Sequence, residues 1–200
     1  MANVATKLLA ARPIASSLSP LIFMTDPKRV PNVVDAAEQL PRGTAIIYRH
    51  FGKADKWAEA KALRQITFKR GQQLLIGDDP ELAIEVGADG VHFRRDANVE
   101  APALWRQRCP DWLISMAGIK SGEYRGNISV LDGLLISSVF PSQSPSAGEP
   151  IGVQAFTQKA RSLPVPVFAL GGVNRETAAK LIGSGAAGIA GIGLIKKIES

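Results

Sequence analysis

Cysteine is nearly absent from this 200-residue chain, aromatics make up only 6% of it, and basic residues nowhere cluster. A lone thiol, Cys109, excludes an intrachain disulfide, which suits a reducing, cytoplasmic setting; its expected role is that of a small buried apolar residue. No apolar run reaches the length needed to cross a bilayer, so no membrane partner is expected. The opening MANVATKLLAARPIASSLSP has only a short patch, Leu8 to Ala11, which Arg12 interrupts, and it is too weak for a secretory leader. The net charge of +6 is spread along the chain, with no block longer than Arg94-Arg95 or Lys196-Lys197. No nucleic-acid motif accompanies it. A modest positive field that draws in a small phosphorylated metabolite is the simpler account. The sequence shows no linker, low-complexity tract or second domain, and a homo-oligomer is compatible with it.

What the chain does have is alternation. With 46% hydrophobic and 21% charged residues it has the composition of a globular domain with a sizeable core. Short apolar runs at residues 21–24, 45–48, 73–76, 89–93, 112–115, 134–136 and 165–170 read as strands, and the apolar run bracketed by Gly183, Gly185 and Gly188 reads as the eighth. Helical patterns fall between them, near residues 31–39, 54–70, 79–86, 99–107, 152–162 and from Asn174. In the second of these, Ala58, Ala62, Leu63 and Ile66 are expected on one buried face. Residues 118–127 are ambiguous, because Gly122 and Gly126 weaken a helix. Continuous apolar strands indicate burial on both faces, as in a parallel sheet covered by helices. Eight right-handed βα steps favour a single-domain (β/α)8 TIM barrel over an open doubly wound sheet. A dinucleotide fold would need a glycine-rich turn after the first strand, which ends instead in Thr25-Asp26-Pro27. Residues 1–20 are read as a lead-in whose short helix covers the bottom of the barrel, and residues 21–200 as the barrel domain.

The most informative stretch is PVPVFALGGVNRETAAKLIGSGAAGIAGIGLIK, residues 164–196. Two strands in succession end in glycine-rich turns, at Gly171-Gly172 and at Gly191 to Gly193, each leading toward a helix. Glycine lets backbone N–H groups approach an anion, and a helix N-terminus adds unpaired donors and partial positive charge. Phosphate in such barrels typically sits at the loops after strands seven and eight. Ordinary turn and helix-stop glycines are the alternative.

Four segments, GADGVHF (87–93), ISSVFPSQS (136–144), VFALGGVN (167–174) and GAAGIAGIGLI (185–195), resemble thiamine phosphate synthase and its relative, the thiazole tautomerase. The resemblance runs from about Leu21 to the end and keeps the motif order. It implies a transferase that joins a pyrimidine methyl diphosphate to a thiazole phosphate. Diphosphate would leave with magnesium assistance, and the thiazole nitrogen would attack. A metal ion and arginine or lysine would stabilise the dense charge of the leaving group.

Position by position, the family's Gln-Leu-Arg-Glu-Lys after strand two is here Ile47-Tyr48-Arg49-His50-Phe51. Arg49 is kept as a diphosphate donor, and Lys53 stands two residues past the lost lysine. The Asn-Asp after strand three is Gly77-Asp78, which makes Asp78 a magnesium ligand. The second family aspartate falls at Ala97, with Asp96 beside it as the substitute ligand. Ser115 matches the serine after strand five. Pro-Thr-x-Thr-Lys after strand six is Pro141-Ser142-Gln143-Ser144-Pro145, with Ser142 and Ser144 keeping the hydroxyls. Gly172 matches the thiazole-phosphate turn, and Ile192-Gly193 the turn after strand eight. The tautomerase histidine after strand five has no counterpart, since Met116-Ala117-Gly118 stand there.

Among the other candidates, His50 is either a general acid or base at the active face, alongside Arg49, or a solvated loop residue. His92 reads as a packed histidine at the barrel end. Asp26 either faces the site or caps its own turn. Arg94-Arg95 either binds an anion or is solvated. Trp57, Trp105 and Trp112 read as packing residues, and loop 141–150 as a lid. Two other readings stand beside the transferase. One is a non-catalytic relative that binds thiamine phosphate and regulates or sequesters it; the other is a sugar-phosphate isomerase or epimerase.

Overall fold

In the computed structural model, which describes residues 1–11, 14–98, 100–118, 127–144 and 147–193, eight parallel strands close into a barrel in sequence order, β1 pairing with β8. They are β1 (Leu21–Met24), β2 (Ala45–Tyr48), β3 (Gln73–Gly77), β4 (Gly90–Phe93), β5 (Leu113–Ala117), β6 (Gly133–Ile136), β7 (Val167–Ala169) and β8 (Gly188–Gly191). Helices α1 (Ala2–Ala11), α2 (Val33–Gln39), α3 (Lys56–Arg70), α4 (Pro80–Val86), α5 (Ala101–Arg108), α6 (Gly152–Ser162) and α7 (Arg175–Ala179) surround them. Among the described residues no helix is long and apolar enough to cross a membrane. Residues 119–126, the heart of the ambiguous stretch, lie outside the described residues; a 3₁₀ turn at Ile128–Val130 follows them.

Local chemistry sets the helix ends. Asp79 accepts from the Leu82 N–H and Pro80 opens α4, while Gly87, at φ 63°, stops it. On α3 the buried face is Ala60, Leu63 and Thr67, not the expected stripe through Ala58, which is exposed. Alanine has too little area to set a helix's phase, so the helix is oriented by where Leu63 docks on the sheet. Trp57 also departs from expectation and stands 43% exposed at the start of α3. Trp105 and Trp112 do pack, stacked 5.5 Å apart with Arg108 over the Trp105 ring.

The lead-in helix does not cross the bottom of the barrel. It lies on the flank, where Ala5 and Leu8 join the outer cluster that includes Leu21 of β1 and Ile189 of β8. The bottom is closed by the segment that follows. Leu18 is buried in the interior cluster, and Gln73 accepts from the Ser19 N–H and donates to the Ser17 carbonyl, both at 2.8 Å. The buried Ala5 and Leu8 gain more against the β8–β1 wall than over a floor already filled by Leu18.

Alternation along each strand divides the core in two. Phe23, Ile46, Tyr48, Leu74 and Ile76 point outward under α2 to α4, whereas Ile22, Met24, Ala45, Ile47, Leu75, Leu135, Phe168 and Ala190 fill the interior. Phe168 is the largest interior ring. A Cβ on Gly133 would lie 2.8 Å from it, and one on Gly188 would meet it at the same distance. The two strands beside β7 thus give up side chains to make room for one phenyl ring, and the pairing Phe168↔Gly188 holds it level. Toward the top the interior turns polar. His92 of β4 points inward and its Nδ1 lies 2.9 Å from Ser115 Oγ of β5, both side chains buried. Burial, with the Arg49 charge adding to it, pushes the His92 pKa from 6.5 down to about 3, so the ring is neutral.

Two outcomes follow. Phe168→Ala leaves a cavity that the glycines cannot fill, and the unfolding free energy falls by about 3–5 kcal/mol in a denaturant titration; a loss below ~1 kcal/mol would show that the ring is not the interior plug. Because the folded chain protonates His92 only near pH 3 and the unfolded chain near 6.5, its contribution is complete above 6.5 and drains away as pH falls toward 3. His92→Gln therefore flattens the acid limb of stability against pH by about 1.4 kcal/mol per pH unit over that window; parallel curves for the two proteins would refute the buried neutral ring.

Candidate functional site

The strand ends carry one cleft of about 380 Å³, at the carboxy-terminal rim between β1–β2 and β6–β8. Its wall begins with the turn after β7. Gly171 and Gly172 have φ of 89° and 65°, a region where L side chains are strained. Both are also crowded, since a Cβ on Gly171 would lie 2.8 Å from Ser138 Cα, and one on Gly172 would strike the Pro141 carbonyl and approach Phe140 Cβ to 2.7 Å. The close approach brings the turn's backbone against the β6 loop. The N–H groups of Gly172, Val173, Ile192 and Gly193 have no hydrogen-bond partner among the described residues.

The helix that follows contributes less than the sequence suggests. Asn174 Oδ1 accepts from the N–H groups of Glu176 and Thr177, and Thr177 Oγ1 accepts from the Asn174 N–H and donates to the Gly172 carbonyl. This reciprocal cap consumes the first donors of α7, so the cradle is built from turn backbone and not from a helix end. The helix expected after Gly193 lies outside the described residues.

The charge comes from the first two loops. Arg49, just past β2, turns into the mouth. Its N–H and Nε bond to Thr25 Oγ1 and O, each at 2.8 Å, while its Nη2 is buried and has no partner among the described residues. Burial holds its pKa below the ordinary guanidinium range, with Asp26 opposing and Arg29 reinforcing the shift. Arg29 also lines the cleft, its Nη2 3.9 Å from the place a Cβ would take on Gly193. No carboxylate stands among the described residues that line the cleft; Ser137, Ser138, Ser142, Ser144, Gln143 and Asn174 supply its remaining polar groups. Two guanidinium groups, hydroxyls and open backbone N–H groups thus face one cleft, a donor set of the kind that suits an anion.

Of the site residues expected from sequence, Arg49, Ser142, Ser144, Gly172, Ile192 and Gly193 come together on this cleft. Ser142 Oγ accepts from the Ser144 N–H, which ties the two turn residues together. Residues 141–144 and 147 are wall, while 145–146 of the expected lid lie outside the described residues. The other four residues stand elsewhere. Ser115 is fully buried beneath the floor and engaged by His92. His50 accepts from the Gly52 N–H at Nδ1 and pairs through Nε2 with Asp79 at 3.2 Å, away from the cleft. Burial and then Lys56 hold the His50 pKa below the usual imidazole value, against the pull of Asp79. Asp78 and Asp96 belong to the β3–β4 side of the rim. Asp26 serves its own turn, accepting from the Lys28 N–H.

Magnesium takes one or two carboxylates and otherwise water and phosphate oxygens. Asp78 suits that role: burial raises its pKa, and the Arg94 N–H bond at 2.7 Å occupies only Oδ1. Asp96 is 80% exposed and paired with Arg94 at 3.1 Å. Among the described residues no three His, Cys, Asp or Glu side chains converge. The donors therefore fit a magnesium ion that arrives with a polyphosphate, and do not make a preformed cage.

Arg29, Ser137 and Ser138 are site residues that pattern reading passed over. The serines lay inside a quoted motif, at the very end of β6. For Arg29 the available signal was its place in a β1 loop, since every loop at this rim of a barrel faces the same mouth.

Comparison with known proteins agrees with this geometry. A model of the family described as thiamine monophosphate synthase matches residues 21–195. A Geobacter sulfurreducens relative is 33% identical over 68% of this chain, and the match spans 64% of that relative's length, just under two thirds. Thiamine-phosphate synthase of Chlorobium luteolum is 32% identical over 70% of this chain and 67% of its own. Among solved structures, thiamine phosphate pyrophosphorylase from Pyrococcus furiosus superimposes with a TM-score of 0.69 at 26% identity, covering 85% of this chain and 83% of that one. This barrel, with its cradle after β7 and β8, belongs to the thiamine monophosphate synthase family.

Proposed function

We propose that the protein is a transferase that joins a pyrimidine methyl diphosphate to a thiazole phosphate, releasing diphosphate and forming thiamine phosphate. The observation that carries this reading is the pairing, in one cleft without carboxylates, of an unpartnered Arg49 Nη2 with the open backbone of Gly172 and Gly193. The reaction asks for two anion sites and little acid–base chemistry. The bond from the pyrimidine methylene carbon to the diphosphate oxygen breaks, and its electron pair leaves with diphosphate. The thiazole nitrogen lone pair forms the new bond to that carbon.

Arg49 would hold the departing diphosphate, where charge grows as the bond breaks. The Gly172 and Gly193 backbone with Ser142, Ser144 and Arg29 would hold the thiazole phosphate. Magnesium, when bound, supplies further neutralisation of the diphosphate, and Asp78 is the residue placed to hold it, with Asp96 available once released from Arg94. His50 and His92 need not move protons here, which accords with their internal partners. A cytoplasmic, reducing setting is part of the same proposal and rests on the single half-buried thiol of Cys109.

Incubation with both substrates and magnesium is expected to yield thiamine phosphate and diphosphate on the order of once per second or slower. Arg49→Ala should cut kcat/KM about a hundred- to a thousandfold, and Arg49→Lys should not restore it, because a point charge cannot donate in parallel. Thiamine phosphate binding without any turnover would sink the transferase and leave a regulator. Gly172→Ala should abolish binding of inorganic phosphate, read by calorimetry, with the circular dichroism spectrum unchanged; unaltered phosphate affinity would place the anion elsewhere.

A further inference from the structure

The bonds between Thr25 and Arg49 depart from the ladder that β1 and β2 otherwise keep. The register pairs Phe23 with Ile46 and Met24 with Ile47, and the Thr25 N–H continues it by donating to the Ile47 carbonyl at 3.0 Å. In a parallel ladder the next bond runs from the Arg49 N–H to the Thr25 carbonyl. Here the Arg49 N–H goes instead to Thr25 Oγ1, and the carbonyl accepts from Arg49 Nε, each at 2.8 Å. Thr25 is fully buried, one residue past the end of β1. Its hydroxyl stands in for its own carbonyl, and the carbonyl is released to hold a side chain.

That exchange decides which part of the guanidinium is free. An arginine can meet an oxyanion across its Nε–Nη2 side or across its Nη1–Nη2 end. With Nε spent on a backbone carbonyl, the end remains for a bidentate contact, and it carries the buried Nη2 that has no partner among the described residues. Arg49 lines the cleft, whereas Thr25 is not among the lining residues and acts through Arg49. Resting on the function proposed above, in which Arg49 receives the diphosphate, we propose that Thr25 is a positioning residue: its hydroxyl takes the ladder's donor so that its carbonyl can hold Nε and turn the Nη end of Arg49 toward the leaving group. Arg29 hangs on the same loop but is held by other bonds. Its N–H donates to the Asp26 carbonyl at 3.0 Å, and Asp26 Oδ1 accepts from the Lys28 N–H. Loss of the Thr25 hydroxyl therefore leaves that turn its own bonds.

Thr25→Val tests this with little disturbance of the fold. Valine keeps the branched shape, and the ladder can close in the ordinary way, the Arg49 N–H taking the carbonyl of residue 25 and displacing Nε. In calorimetric titrations of the full chain with magnesium, Thr25→Val is expected to raise Kd for inorganic diphosphate about tenfold, the worth of one hydrogen bond to a charged group. It should change Kd for inorganic phosphate, which rests on the glycine turns, less than about twofold. Thr25→Ser, which keeps the hydroxyl, should recover most of the diphosphate affinity. On an Arg49→Ala background, Thr25→Val should add less than about twofold, because a residue that acts through another has nothing left to act on. Equal loss for phosphate and diphosphate, an undiminished effect on the Arg49→Ala background, a serine variant as weak as valine, or unchanged diphosphate affinity in Thr25→Val would each overturn the positioning role. If the unaltered protein binds diphosphate in this Thr25-dependent way yet forms no thiamine phosphate, the transferase reading falls and the positioning of Arg49 stands; if it binds no diphosphate, both fall.

Discussion

A guanidinium taken out of water must be given acceptors, and the mouth of this barrel is arranged around one that has too few. Arg49 spends its Nε on a single carbonyl of Thr25 and lays a face against Phe51, and its Nη2 is left without a partner. Loss of a buried donor's partner costs more than an ordinary hydrogen bond returns. The chain tolerates that deficit where an incoming anion can remove it. Burial and then the Arg49 charge hold the His92 titration down below it, and Arg29 adds to the positive potential at Arg49.

The rim is correspondingly divided. On the β1, β2 and β6–β8 side, backbone donors and arginines are left open. On the β3–β4 side the polar groups are spent on one another: His50 with Asp79, Asp79 with Lys56, Asp78 with the Arg94 N–H, Asp96 with the Arg94 side chain. That second network holds loops in place and presents few free acceptors.

Much of the architecture was legible in the sequence because it is carried by short-range signals. Eight apolar runs, most of them followed by a helix signal, define a parallel barrel, and Asp79-Pro80 and Gly87 mark the ends of α4 within a residue. The cradle was legible through its glycines. What was not legible depends on distance in the chain. Arg29 reaches the cradle only because β1 and β8 close the barrel, a pairing no local pattern announces. The N–H groups of Glu176 and Thr177 are taken by Asn174 Oδ1, which Thr177 Oγ1 locks in place by bonding back to the Asn174 N–H, and a capping residue read alone looks like an available helix end. Ser115 matches an active-face pattern, yet its side chain is fully buried against His92, which is packed as its sequence suggests. The stripe on α3 and the exposure of Trp57 were misjudged for the simplest reason: alanines and a lone indole do not determine which way a helix rolls.

The wedge of Phe168 between Gly133 and Gly188 has an evolutionary corollary. Three adjacent strands share one void, so their residues cannot vary independently. A methyl gained on Gly133 calls for a shrinkage of the central ring, one on Gly188 would also strike the Pro20 backbone, and a smaller ring alone opens a hole. Drift at Gly133 and Phe168 must therefore proceed in step while Gly188 stays fixed, and since β7 and β8 carry the glycine turns directly above, such epistasis ties the pace of change in the barrel's interior to the shape of its mouth.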